Sequence, residues 1–194
     1  MSSLDRPIRL LILGTGNMAG NHAAAFQKTP AVEQVAGVAR KPEMLAGFCD
    51  TYAIPHRFED LADAIAWGEF AAVSHVTPAA AHHPTTLQLL NAGKHVLCEK
   101  PLATNVADAA EMTGLARQKG VVGMVNLSYR DVAVLQKAAQ LVAGGEIGAL
   151  RHFEASYLQS WLTQPAWGDW RTESQWLWRL ASEHGSKGVL GDVG

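Results

Sequence analysis

A chain of 194 residues is long enough for one large domain or two small ones, and 48% hydrophobic against 18% charged residues is the balance of an ordinary soluble protein. A net charge of -2, with no block of like charges, leaves no basic footprint for nucleic acid and nothing to draw the chain to a membrane. Cys49 and Cys98 stand far apart with no C-x-x-C partner, which argues against a disulfide framework or a zinc site; with no apolar core in Met1 to Pro7 to make a signal peptide, a reducing, cytoplasmic location is expected.

Ile8 to Leu13 reads as a buried strand, too short to cross a bilayer, that runs directly into Gly14-Thr15-Gly16-Asn17-Met18-Ala19. This is a dinucleotide fingerprint of the form G-x-G-x-x-G/A. Gly14 permits the tight turn, Gly16 lets backbone approach a pyrophosphate, and Ala19 is small enough for close helix–strand packing. A helix from Met18 to Lys28 should then point its N-terminus at the anion, with Gly14, Thr15, Gly16, Asn17 and Met18 forming the cradle.

The second strand, Val32 to Val38, should end beside the adenine ribose, where NAD-preferring sites usually carry an acid about twenty residues past the glycines. Ala39-Arg40-Lys41 stands there instead. An arginine can pair with a 2′-phosphate in bidentate fashion, so NADP is expected over NAD, with NAD possible; alternatively Arg40 and Lys41 are solvated loop cations.

A helix opened by Pro42 runs to about Tyr52, followed by a short strand at 54–58, a helix from Leu61 to Trp67 and a strand from Ala71 to Val76 that ends at Thr77-Pro78. A helix from about His82 to Asn91 precedes the strand of His95-Val96-Leu97-Cys98, and a helix over 105–119 and a strand over 121–125 complete the alternation. The pattern predicts an α/β fold, a doubly wound parallel sheet of Rossmann type over 1–125. His75, His82 and His83 form no metal site, because neighbouring helical histidines diverge and no Cys or acidic set completes one.

The fifth strand stops at Glu99-Lys100-Pro101. Proline cannot donate to a ladder and restricts the residue before it, so Lys100 is held at a strand's carboxyl end, where open α/β sheets bind ligands. It is either a surface lysine of a strand-to-helix loop or a group aimed at chemistry.

From 126 to 194 the pattern changes to the start of an α+β substrate domain. A helix is expected at 132–142, and Arg151 to Ser160 alternates like a half-buried strand. A polar loop then holds Trp161, Trp167, Trp170, Trp176 and Trp178, flat rings that suit a sugar-like ligand or anchor a packing loop or subunit interface. One helix and one strand are too little for a core, so the chain is expected to be a truncated one.

The glycine turn, Thr77-Pro78 followed by His82, the run Ala92-Gly93-Lys94-His95-Val96-Leu97-Cys98-Glu99-Lys100-Pro101, Tyr129-Arg130, and Trp178-Arg179 ahead of Asp192-Val193-Gly194 together resemble the Gfo/Idh/MocA family of NAD(P)-dependent oxidoreductases. The resemblance implies hydride transfer between a nicotinamide cofactor and a sugar, cyclitol or related polyol or carbonyl, with Lys100 hydrogen-bonded to the reacting oxygen and Glu99 ordering the turn. It implies cofactor contacts from Thr77, Pro78, His82, Glu99 and Lys100, although Ala79 stands where many members have asparagine. Asp192 matches the aspartate of a D-x-x-x-H motif whose histidine would fall two positions beyond Gly194, so Lys100 and Asp192 are the catalytic candidates. Arg130, Trp178 and, on loop chemistry alone, Arg171 join Lys100 and Asp192 as substrate-binding candidates. It further implies a homo-oligomer built through the substrate domain. The competing expectations are a cofactor-binding sensor without catalysis and an inactive fragment of such an enzyme.

Overall fold

The computed structural model of the chain describes residues 6–156 together with 158, 160, 168, 169, 172 and 173. Two compact units divide at Asn126, one Met1–Asn126 and the other Leu127–Gly194. In the first unit, β1 (Ile8–Leu13), α1 (Asn17–Gln27), β2 (Val32–Val38), α2 (Pro42–Thr51), β3 (His56–Phe58), α3 (Leu61–Trp67), β4 (Ala72–His75), α4 (Ala79–Asn91), β5 (His95–Cys98), α5 (Val106–Lys119) and β6 (Gly123–Val125) follow in strict alternation.

All strand pairs are parallel and the sheet order is β3-β2-β1-β4-β5-β6. The chain winds outward from β1 to β3, returns to lay β4 against β1, and winds outward again. The topological switch therefore lies between the ends of β1 and β4, the position at which such sheets open a ligand crevice.

The side-chain period of two in β1 serves both faces. Leu11 and Leu13 enter one core cluster with Val35, Val73, Leu89, Leu90 and Val96, while Leu10 and Ile12 enter the other with Ala19, Ala23, Leu45, Phe48 and Ile54. A continuous apolar run is what a strand covered on both faces requires. At Gly37 a Cβ would lie 2.7 Å from Cys49 Sγ, so the glycine lets α2 approach β2.

Helix α4 begins at Ala79, three residues ahead of the expected start, and it encloses Pro84, as the helix expected from His82 also does. The ring removes one intrahelical hydrogen bond, a loss the burial of His82, Thr86, Leu89 and Leu90 offsets. Asn105 caps α5 by accepting the Asp108 N–H at 2.9 Å and donating to the Asp108 carboxylate at 2.7 Å.

The second unit contains a 3-10 turn (Ser128–Asp131) and α6 (Ala133–Ala143), and none of its described residues is buried. The strand expected over Arg151 to Ser160 is not formed: residues 151–156 are irregular and exposed. An alternating sequence becomes a strand only when another strand takes up its backbone groups and a core covers its apolar side, and no described residue does either. The five tryptophans of the loop, Arg171 and Asp192 lie outside the described residues.

Candidate functional site

Gly14 joins three strand ends. Its N–H donates to the Val38 carbonyl at 2.9 Å, and a Cβ on it would lie 2.8 Å from the Val76 carbonyl oxygen. With φ at +116°, it occupies a conformation that side chains rarely adopt. Two residues on, Gly16 precedes α1 with nothing within 4 Å of where a Cβ would sit. No side chain caps α1 and no acid stands in its first turn. Backbone N–H groups and the positive end of the helix dipole thus face open space, a match for the two negative charges of a pyrophosphate. Ala19 is fully buried, and Gly20 sits where a Cβ would meet the Tyr52 hydroxyl at 2.7 Å, so small residues hold α1 close beneath this opening. Thr15 is half-buried, and Asn17 and Met18 are exposed along its edge.

At the end of β2, Arg40 is exposed and Lys41 is the residue before α2, whose first turn is opened by Pro42. No acid stands between Val38 and Pro42.

The ends of β4 and β5 lie side by side, His75 opposite Cys98, and the loops beyond them are joined by His82. Its Nε2 lies 2.8 Å from the Thr77 carbonyl oxygen and its Nδ1 2.8 Å from that of Pro101. The ring is 1% exposed with both nitrogens engaged, so His82 ties the Thr77-Pro78 loop to the Lys100-Pro101 loop. His83, one residue on, pairs instead with Glu111 at 2.8 Å.

Lys100 is exposed, and its peptide bond to Pro101 is cis. Glu99 behind it is 7% exposed. One of its oxygens, Oε1, accepts from His22 Nε2 at 3.0 Å and from Asn126 Nδ2 at 2.6 Å, while Oε2 accepts the Lys100 N–H at 3.2 Å. Burial pushes this carboxyl up, but the hydrogen bonds from His22, Asn126 and the Lys100 backbone outweigh it and hold Glu99 below its ordinary value. Both carboxylate oxygens are thus engaged within the protein, one of them by the backbone of the next residue, Lys100.

Sequence reasoning missed His22, Ser74 and Asn126. The signal was a histidine among Ala19 and Ala23 on the buried face of α1, a polar residue where an apolar one is expected. Its partners come from positions 52 to 104 residues away, which no local pattern reveals.

The structure therefore brings the glycine turn, Thr77-Pro78 and Glu99-Lys100 to the carboxyl ends of β1, β4 and β5, with Arg40 at the end of β2. Arg130 is exposed in the 3-10 turn of the second unit, while Trp178, Arg171 and Asp192 fall outside the described residues. A sheet in the order 3-2-1-4-5-6 with a glycine turn at its switch point defines a dinucleotide-binding domain.

The chain belongs to the Gfo/Idh/MocA family. Residues 8–127 match the model of its oxidoreductases with an NAD-binding Rossmann fold, and residues 135–194 match that of the GFO/IDH/MocA C-terminal domain. Levoglucosan dehydrogenase of Pseudarthrobacter phenanthrenivorans is 27% identical over 191 residues, covering 94% of this chain and 47% of that protein. The scyllo-inositol 2-dehydrogenase (NADP(+)) of Bacillus subtilis is 31% identical over 152 residues, 78% of this chain and 46% of the relative. Among solved structures, an NAD binding oxidoreductase from Klebsiella pneumoniae superposes with a TM-score of 0.83 at 26% identity, over 96% of this chain and 50% of the other. The scyllo-inositol dehydrogenase of Lactobacillus casei, solved with NAD(H) and scyllo-inositol, gives 0.69 at 26% identity over 74% and 43%. The chain spans about half the length of the curated relatives it matches.

Proposed function

We propose that this protein is an NADP-dependent oxidoreductase that moves a hydride between the nicotinamide and a sugar, cyclitol or related polyol, or the matching carbonyl. The observation that carries the reading is the open, uncapped start of α1 at Gly16, set at the same sheet edge as Lys100. Gly14, Thr15, Gly16, Asn17 and Met18 would hold the pyrophosphate, Arg40 the 2′-phosphate, and Thr77 and Pro78 the nicotinamide half. When bound, the nicotinamide supplies the hydride chemistry. Lys100 hydrogen-bonds the substrate oxygen and handles its proton, with Asp192 as the second catalytic group. Arg130, Arg171 and Trp178 contact the substrate from 126–194, the substrate and oligomerisation part, while 1–125 binds the cofactor.

The exposed guanidinium of Arg40 and the lack of an acid at the end of β2 favour NADP, since a carboxylate there would repel the extra phosphate. Two buried free thiols support work in the reducing cytoplasm. Exposed Val134, Leu135 and Phe153 support a homo-oligomer formed through the second unit.

Fluorescence titration with NADPH and NADH tests the cofactor half. NADPH should bind more tightly, and Arg40→Ala should weaken it roughly ten- to a hundredfold with little change for NADH. Gly16→Ala should weaken both cofactors at a stability cost of at most about 1 kcal/mol. Polyols with NADP, followed by nicotinamide absorbance, then test turnover and its loss in Lys100→Ala. A chain that binds neither cofactor sinks the reading.

A further inference from the structure

Ser74 on β4, His22 on α1 and Glu99 at the end of β5 form a continuous hydrogen-bonded line, His22 Nδ1 lying 2.7 Å from Ser74 Oγ and Nε2 3.0 Å from Glu99 Oε1. Serine, histidine and acid in contact suggest a nucleophile, but Ser74 is 0% exposed in a central strand, so no substrate can reach it. The line is satisfied when the Ser74 hydroxyl donates to Nδ1 and Nε2–H donates to Glu99.

A core staple does not require this chemistry. Burying a carboxylate costs several kcal/mol that an apolar side chain of similar volume would avoid, so packing alone gives no reason for the group. What it holds is the N–H of Lys100. His22 and Asn126 take Oε1, which turns Oε2 toward that N–H, while the Glu99 N–H donates to the His75 carbonyl at 2.9 Å. The backbone leaving β5 is thereby fixed on both sides of Glu99.

We propose that His22 is a positioning residue that acts through Glu99 to fix the backbone direction of Lys100, and with it the place where the ammonium meets the substrate oxygen. The inference rests on Lys100 being the group that handles the substrate proton. It also gives α1 two duties: Gly16 at its start faces the cofactor cradle, and His22 further along holds the strand end that carries Lys100. One rigid helix then keeps cofactor and lysine in register.

The test uses the whole chain with His22→Leu, His22→Gln and Glu99→Gln, reading backbone amide exchange by NMR, the rate of Lys100 acetylation by acetic anhydride, and NADPH affinity. Glutamine places its Nε2 near that of histidine, so it keeps the donor. His22→Leu should speed exchange of the Lys100 amide by at least about tenfold, the loss of one charge-assisted hydrogen bond, and change its acetylation rate. Exchange in β1 and the affinity for NADPH should stay within about twofold by the same bond's locality, and His22→Gln should restore most of the Lys100 values. An unchanged Lys100 in folded His22→Leu overturns the proposal, as does equal loosening of β1 and β4 or a failure of glutamine to rescue. If leucine prevents folding, Glu99→Gln decides, because it must produce the same Lys100 change with His22 in place. Failure of the proposed function appears separately, as a wild-type chain that does not bind NADPH.

Discussion

His75 ends β4 with its ring fully buried among hydroxyls: Nδ1 lies 3.0 Å from Thr86 Oγ1, and Nε2 lies 2.8 Å from Thr77 Oγ1 and 3.0 Å from Thr85 Oγ1. Burial, with a smaller push from neighbouring His82, lowers it from 6.5 to about 3. The folded state therefore keeps His75 neutral, whereas the unfolded chain protonates it below 6.5. The unfolded state binds more protons in that window, so stability falls as pH drops from 6.5 toward 3. Glu99, held below 4.5, adds stability that is present above that value and is lost as pH falls through its lowered folded value. Between pH 6.5 and 4.5 the loss from His75 should approach about 1.4 kcal/mol per pH unit. His75→Gln keeps a polar amide for the hydroxyls and removes this titration. Urea unfolding at a series of pH values should show a flatter acid limb in the variant, and parallel limbs would rule out His75 as the cause. At this scale Lys100 was legible because a proline follows it and a strand precedes it. The group that supports it was not, because hydrogen-bond partners such as Ser74, His22 and Asn126 meet only after three elements pack.

The elements were largely legible because each strand is bounded by glycine, proline or a polar cluster, and because β1 buries both faces as an unbroken apolar run. Departures occur where packing overrides the local signal. Helix α4 starts at Ala79, three residues before the expected His82, and the burial of Thr86, Leu89 and Leu90 offsets the one hydrogen bond lost at Pro84. The glycine turn shows the reverse, a local signal that packing enforces. An alanine at Gly14 would set its Cβ 2.8 Å from the Val76 carbonyl, a backbone atom fixed by β4, while holding φ at +116°. Neither fault can relax without separating β1 from β4. Gly14→Ala should therefore cost about 3 kcal/mol in urea unfolding, several times the effect at Gly16, where a Cβ meets nothing. A Gly14→Ala chain within about 0.5 kcal/mol of the native one would show that the turn is not so constrained.

Across the whole molecule, burial is divided unequally. The first unit contains two core clusters, one on each face of its sheet, and the groups proposed to hold the cofactor, from Gly14 to Lys100. In the second, α6 has no buried residue, and Val134, Leu135, Ile147, Leu150 and Phe153 are exposed. Local opening is governed by the apolar contacts that must be broken, so α6 and residues 151–156 should open at far lower cost than the sheet. Brief tryptic digestion should cut first at Arg130, Lys137 or Arg151 and leave an N-terminal fragment that resists further cleavage. That fragment should bind NADPH as tightly as the uncut chain. On the proposal that the second unit carries the contacts of a homo-oligomer, size-exclusion chromatography should show self-association of the uncut chain lost with the cut. A first cut between β2 and α2, at exposed Arg40, would instead place the weakest point inside the dinucleotide domain and contradict this division of stability.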